Sequence, residues 1–144
     1  MTLADDAVEA RAQGWRTLAA LHATIEERLE KALQKSHGLS VSEYTVLDVL
    51  ARQDGRHMRM QQLARAVVLS QSATTRLVTR LEKRELLRRY LCEDDRRGIY
   101  SEVTQAGFDL LGQARPTHDA VLKEVLDEAA ELPELAPLVA VIRA

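Results

Sequence analysis

Leu69-Ser70-Gln71-Ser72-Ala73-Thr74-Thr75-Arg76-Leu77-Val78 is the stretch on which the reading of this 144-residue chain turns. Ser70 stands where a hydroxyl can accept the first free N–H groups of a helix. Ala73, Leu77, Val78 and Leu81 then recur at the 3.6-residue period and give that helix one apolar face. Gln71, Ser72, Thr74, Thr75, Arg76 and Arg80 fall on positions that a core does not need. Just upstream, Met60, Leu63, Ala64 and Val67 mark a shorter helix, and Val68-Leu69-Ser70 forms the turn between the two. Ala64 is small enough for two helices to cross closely at a steep angle. This is the grammar of a helix-turn-helix. Short hydroxyl and amide groups at the start of the second helix reach base edges or phosphates, and Arg76 suits a guanine or a phosphate.

Downstream of Leu86 the period changes to two. Leu87, Arg89 and Leu91 alternate with Arg88, Tyr90 and Cys92, and Ile99, Ser101 and Val103 alternate with Tyr100 and Glu102. Between them Glu93 to Gly98 reads as a charged hairpin tip. A two-stranded hairpin placed directly after the second helix is a wing. Arg96 and Arg97 at its tip suit a narrow minor groove, with Asp95 placed to brace an arginine by ion pairing.

Net charge, at −2, hides an asymmetry. Between residues 56 and 97 the basic residues are Arg56, Arg59, Arg65, Arg76, Arg80, Lys83, Arg84, Arg88, Arg89, Arg96 and Arg97, against Glu82, Glu85, Glu93, Asp94 and Asp95. That segment is cationic while the rest of the chain is anionic, the footprint of a nucleic-acid surface.

The flanks read as helices. Trp15, Leu18, His22, Ile25, Leu29 and Ala32 keep a heptad-like spacing from Ala7 to about Lys35, a helix about 42 Å long. That is more than one small globule needs, so the seam is expected to face a partner chain. Gly38 suits the end of this helix, and Ser40 or Ser42 the start of the next, which runs to about Gln53 before a turn at Asp54-Gly55. Thr104 caps a long final helical region carrying Phe108, Leu111, Ala114, His118, Val121, Val125 and Ala129, with a bend expected near Pro116. Pro133 is expected to start a last short helix. The five aromatics leave a core of aliphatic residues, which favours packed helices over a β-sandwich. The expected fold is therefore mainly α, a winged helix-turn-helix with a two-stranded wing and long helices at both ends.

Leu69 to Val78, then Arg80-Leu81-Glu82, Asp95-Arg96-Arg97 and Val103-Thr104-Gln105-Ala106-Gly107 together resemble the MarR family of bacterial transcriptional regulators. The resemblance is specific over roughly residues 39–111. It implies a single MarR-like domain, with residues 39–104 as the DNA-binding lobe and residues 1–36 and 105–144 as dimerisation helices. It also implies a homodimer on a palindromic operator, with recognition helices in the major groove and wings in the minor groove. Repression is implied too, released by a small aromatic or anionic ligand or by an oxidant. The expected DNA contacts are Ser70, Gln71, Ser72, Thr74, Thr75, Arg76, Arg80, Asp95, Arg96 and Arg97. One position departs from the family pattern Glu-x-x-Gly-Leu, in which glycine takes a left-handed conformation; here Glu85 precedes Leu86.

Trp15, Arg16 and His22, with Tyr44 and Arg59 as weaker additions, are the expected effector residues. Arg16 would pair with a carboxylate and Trp15 would stack on an aromatic ring. Plain structural roles stay open for each: Trp15 in a dimer core, His22 at an interface, Arg16 as a surface cation. Cys92, the one cysteine, leaves open an oxidant-sensing reading. A helical protein-binding adaptor would explain the long helices but not the basic wing. No Gly-rich phosphate loop, nucleophile elbow or metal-ligand spacing occurs, so neither an enzyme nor a cofactor or metal is expected. No long uncharged apolar run occurs, and a cytoplasmic setting is expected.

Overall fold

Ser40, Ser70 and Thr104 each open a helix, and each does so by the same chemistry. Ser40 Oγ accepts from the Glu43 amide (3.0 Å), and Glu43 Oε1 accepts in return from the Ser40 amide (3.0 Å). This capping box starts α2, Val41–Ala51. Ser70 Oγ accepts from the Ala73 amide (3.1 Å) at the start of α4, Gln71–Lys83. Thr104 Oγ1 accepts from the Gly107 amide (3.1 Å) at the start of α5, Gln105–Ala130, which continues through Pro116. Three further helices, α1 (Leu3–His37), α3 (Met60–Ala66) and α6 (Ala136–Arg143), make the chain mainly helical. The computed structural model describes the backbone of residues 3–92 and 95–144, and the side chains of residues 4–91 and 98–144.

The last helix begins later than its sequence suggests. Pro133 falls in the turn after α5, and Pro137 instead takes the second position of α6, after Ala136. Both prolines lack an amide proton, and either can open a helix; the turn bonds from Leu135 and Ala136 to the Leu132 carbonyl decide between them.

The two expected strands of the wing are present, and a third, short strand joins their sheet. β1 (His57–Arg59), β2 (Leu87–Cys92) and β3 (Asp95–Val103) form an antiparallel sheet in the order β1-β3-β2. His57 pairs with Glu102 and Arg59 with Tyr100, while on the other edge Arg88 pairs with Glu102 and Tyr90 with Tyr100. A three-residue strand is too short for alternation to announce it. The expected hairpin tip is also shorter, because a register shift between Leu91 and Cys92 brings Cys92 opposite Asp95, so residues 95–98 belong to the strand.

Two compact units divide the chain, residues 33–116 and residues 1–32 with 117–144. In the first, α3 packs on α4 and α2 touches both. Val46, Leu47, Leu50, Leu63, Val78 and Leu81 have no solvent exposure there. In the second, Leu21, Leu126, Ala129 and Val139 are buried together, with Ile25, Leu122, Leu135 and Leu138 against them. Arg28 bridges Glu124 (3.1 Å) and Glu128 (2.9 Å) beside this cluster. The α1 seam thus splits: Leu29 is buried by the chain's own residues, as is Leu21 beside the seam, whereas Trp15 and Leu18 remain 68% and 45% exposed. Among the described residues no helix is long and apolar enough to cross a membrane.

α3 and α4 end in the same way. Val68 N–H bonds the Arg65 carbonyl and Leu69 N–H the Ala64 carbonyl; Glu85 N–H bonds the Glu82 carbonyl and Leu86 N–H the Leu81 carbonyl. These are Schellman motifs, whose left-handed position normally carries glycine. Here it carries Val68 (φ 57°) and Glu85 (φ 62°). A side chain in that conformation costs about 1–2 kcal/mol, against roughly 0.5–1 kcal/mol of backbone entropy for glycine. Glu85→Gly should therefore raise Tm by about 1–3 °C in a thermal melt, and an unchanged or lower Tm would show the strain to be relaxed.

Candidate nucleic-acid interface

Helical geometry sorts the side chains of α4 onto two faces. Leu77, Val78 and Leu81 are buried, and Thr74 joins them with no exposure, its Oγ1 donating to the Ser70 carbonyl (2.8 Å). Thr74 was expected among the outward residues. It lies three and four positions before Leu77 and Val78, which fixes it on the inward face. Gln71, Ser72, Thr75, Arg76 and Arg80 are exposed. Ser70 sits at the end of that face, its Oγ 3.3 Å from Ser72 Oγ.

The arginines of the basic segment divide by what they touch. Arg84 Nη1 donates to the Gly38 carbonyl (2.9 Å) and to Glu43 (3.3 Å), tying the end of α4 to the start of α2. Arg88 donates to Glu102 Oε2 from both Nε (3.1 Å) and Nη2 (2.9 Å). Arg89 holds Glu82 through Nη2 (2.8 Å) and through its backbone amide (3.1 Å). The hydrogen bond from the Arg89 side chain is the main reason the Glu82 carboxyl titrates below the usual glutamate range. These three arginines belong to the fold. Arg65, Arg76, Arg80 and Lys83, by contrast, have no carboxylate partner among the described residues. Arg76 and Arg80 project this free charge from the exposed face of α4, whose N-terminus carries the Ser70 cap.

The sheet is braced by a ring cluster that alternation alone did not reveal. His57, Tyr90 and Tyr100 come from three different strands, with centroids 5.3 to 6.1 Å apart. His57 Nδ1 bonds the Tyr90 hydroxyl. Arg59 Nε donates to the Tyr100 hydroxyl (3.0 Å), so Arg59 supports the wing root. The side chains of Cys92, Asp95, Arg96 and Arg97 lie outside the described residues; their backbone lies at the end of β2 and the beginning of β3.

The expected effector residues are scattered. Arg16 donates to Glu9 (3.0 Å) and Gln13 (2.8 Å) on its own helix. It also lines a cavity of about 520 Å³ with Gln13, Thr17, Ala20, Leu132 and Leu135, to which neither Trp15 nor His22 contributes. His22 is exposed and lies 3.7 Å from Glu26. Tyr44, in the other unit, is buried beside Arg115, which donates to Asp48 (2.8 Å). No cluster of three or more His, Cys, Asp or Glu able to hold a metal ion occurs among the described residues.

Comparison with known proteins agrees with this arrangement. The profile described as "MarR family" matches residues 37–98. The HTH-type transcriptional regulator MhqR of Bacillus subtilis is 30% identical over 114 residues, covering 79% of this chain and 77% of that protein. PecS of Dickeya dadantii, another HTH-type transcriptional regulator, is 28% identical over 116 residues, 80% of this chain and 69% of its own length. Among solved structures, a MarR family transcriptional regulator from Streptomyces coelicolor in complex with DNA superposes with a TM-score of 0.78 at 26% identity, over 99% of this chain and 86% of that one. AbsC, a MarR family regulator of the same organism, gives 0.74 at 30% identity, over 99% and 97%.

Proposed function

Since the chain belongs to the MarR family and is a DNA-binding transcriptional regulator, we propose that it acts as a homodimeric repressor, seated on a palindromic operator and released by a small aromatic or carboxylate effector. The observation that carries the DNA-facing part is the pair of guanidinium groups, Arg76 and Arg80, without a carboxylate partner among the described residues and on the exposed face of a capped helix. On this reading α4 enters the major groove, with Gln71, Ser72 and Thr75 at base edges. The strand pair around Asp95, Arg96 and Arg97 follows the adjacent minor groove. Residues 39–104 serve as the DNA-binding lobe, and the helices of residues 1–36 and 105–144 carry the dimer.

Dimer formation has its own support. Val8, Trp15 and Leu18 on α1 and Val141 and Ile142 on α6 are large apolar side chains left 45% to 74% exposed. A second copy covers such a surface most economically, since it presents the same residues.

Gel shifts on duplexes selected from a random library, and on the DNA upstream of the protein's own gene, test the reading. Arg76→Ala should cost about 1–3 kcal/mol of operator affinity and flatten sequence preference. An equal loss on every sequence would assign Arg76 to phosphate instead, and no loss would remove α4 from the interface.

The effector arm rests on Trp15 and Arg16, adjacent on α1, and on the cavity that Arg16 lines. A ligand acts only through its differential affinity for the bound and released states. Titrating benzoates, phenols and small di-acids into the operator complex should release the protein. Arg16→Ala should abolish that response while leaving ligand-free DNA binding intact. Release that persists in the variant would move the effector site elsewhere.

A further inference from the structure

Val68 is the most exposed of the large apolar side chains described, at 86%, and it also has a left-handed backbone, φ 57°. Isolated exposed apolar residues are ordinary on protein surfaces. A β-branched residue with positive φ is not, because its branched carbons crowd the backbone. The other two non-glycine residues of this kind among those described, Arg56 and Glu85, have long polar side chains that water solvates. Val68 bears backbone strain and solvent exposure together. Glycine at the same position of the Schellman motif would remove both. Strain of this kind persists where the surrounding structure holds it, and it gathers at functional sites.

Position narrows the function. Val68 lies two residues before Ser70, the cap of α4, and three and four residues before exposed Gln71 and Ser72. With the N-terminal end of that helix in a major groove, the turn before it borders the base edges. A valine has no donor or acceptor, so it cannot hold a phosphate or bond a base. The apolar group that a major groove offers is the 5-methyl of thymine. We infer that Val68 is a specificity residue, which reads a thymine methyl in each half-site by apolar contact. The inference rests on the docking of α4 proposed above.

Thymine-to-uracil substitution tests it, because it deletes the methyl and leaves the hydrogen-bonding edge intact. The probe is a duplex obtained by selection from a random library, with each thymine replaced by uracil in turn, and the full chain is used. In the wild type, one thymine per half-site should lose about fourfold in affinity on replacement, the value of one buried methyl. Val68→Ala keeps a β-carbon and, because it changes both protomers, should lose that factor in each half-site, about sixteenfold on the unmodified duplex, together with all sensitivity to uracil at that position. Val68→Gly should do likewise and should also melt at a higher temperature than wild type. A wild type indifferent to uracil at every position would overturn the inference, as would variants that keep wild-type affinity and wild-type uracil sensitivity. If Arg76→Ala leaves binding unchanged, the docking of α4 is wrong as well. If Arg76→Ala weakens binding but the methyl signature is absent, the fault lies with Val68 alone.

Discussion

Raising salt from about 50 to about 200 mM should weaken operator binding by roughly 10³- to 10⁵-fold, read as the slope of log affinity against log salt. Each phosphate neutralised by a cation releases condensed counterions, and dilute salt rewards that release. Ion pairing within the fold separates the cations available for this from those already neutralised. Arg84, Arg88 and Arg89 are held by Glu43, Glu102 and Glu82, and bring little net charge to DNA. Arg65, Arg76, Arg80 and Lys83 have no carboxylate partner among the described residues, and two copies of that set bring about eight positive charges to the DNA before the wing tip is counted, whether each lies at a phosphate or at a base edge. Arg88→Ala should leave the slope nearly unchanged, whereas Lys83→Ala or Arg65→Ala should lower it by up to about one contact per half-site. An affinity indifferent to salt would overturn the assignment of this face.

Gly107→Ala should destabilise the protein by roughly 3 kcal/mol, lowering Tm by about 10 °C. A β-carbon at Gly107 would stand 2.2 Å from the Leu86 carbonyl oxygen, 3.0 Å from Val103 Cγ1 and 3.1 Å from the Leu86 carbonyl carbon. Backbone atoms cannot swing aside as a flexible side chain can. The same carbonyl accepts the Thr104 amide (3.1 Å), and Thr104 Oγ1 donates to the Glu85 carbonyl (2.7 Å). Moving the first turn of α5 to admit a methyl would break both bonds. Gly112, with nothing within 4 Å of an added β-carbon, is the control: Gly112→Ala should be neutral or slightly stabilising in the same melt. Equal melting of the two variants would refute the close approach.

Local chemistry made much of this fold readable in the sequence. Caps at Ser70 and Thr104 announce themselves because a hydroxyl before an apolar helical period has few other uses, and the alternation from Leu87 to Val103 is long enough to mark two strands. β1 escaped because three residues carry no period. Thr74 was misplaced because a threonine is equally at home on a wet face and, once its hydroxyl bonds the preceding turn, in a dry one. The α1 seam was read as one stripe, yet Leu29 is buried and Trp15 exposed, a difference that depends on which helices return to cover it. In the candidate interface, composition marked the cationic segment but could not separate the arginines spent on Glu43, Glu82 and Glu102 from those left free, since that pairing spans up to 41 residues of sequence. Effector residues were least legible, because a cavity wall is assembled from side chains with no common period.

Thr75 donates its hydroxyl proton to the Gln71 carbonyl (2.9 Å) and Thr79 donates its own to the Thr75 carbonyl (2.8 Å). Their remaining lone pairs can only accept. The outward face of α4 is therefore polarised in its hydrogen-bonding sense: it gives protons through Arg76, Arg80 and the Gln71 amide, and receives them at Thr75. Docked in a major groove, such a face favours guanine under the arginines, where N7 and O6 both accept, and an exocyclic amino group of adenine or cytosine under Thr75. Serine at position 75, given the same bond to the preceding turn, would keep that acceptor and lose only the methyl, whereas valine would erase the preference while preserving the shape.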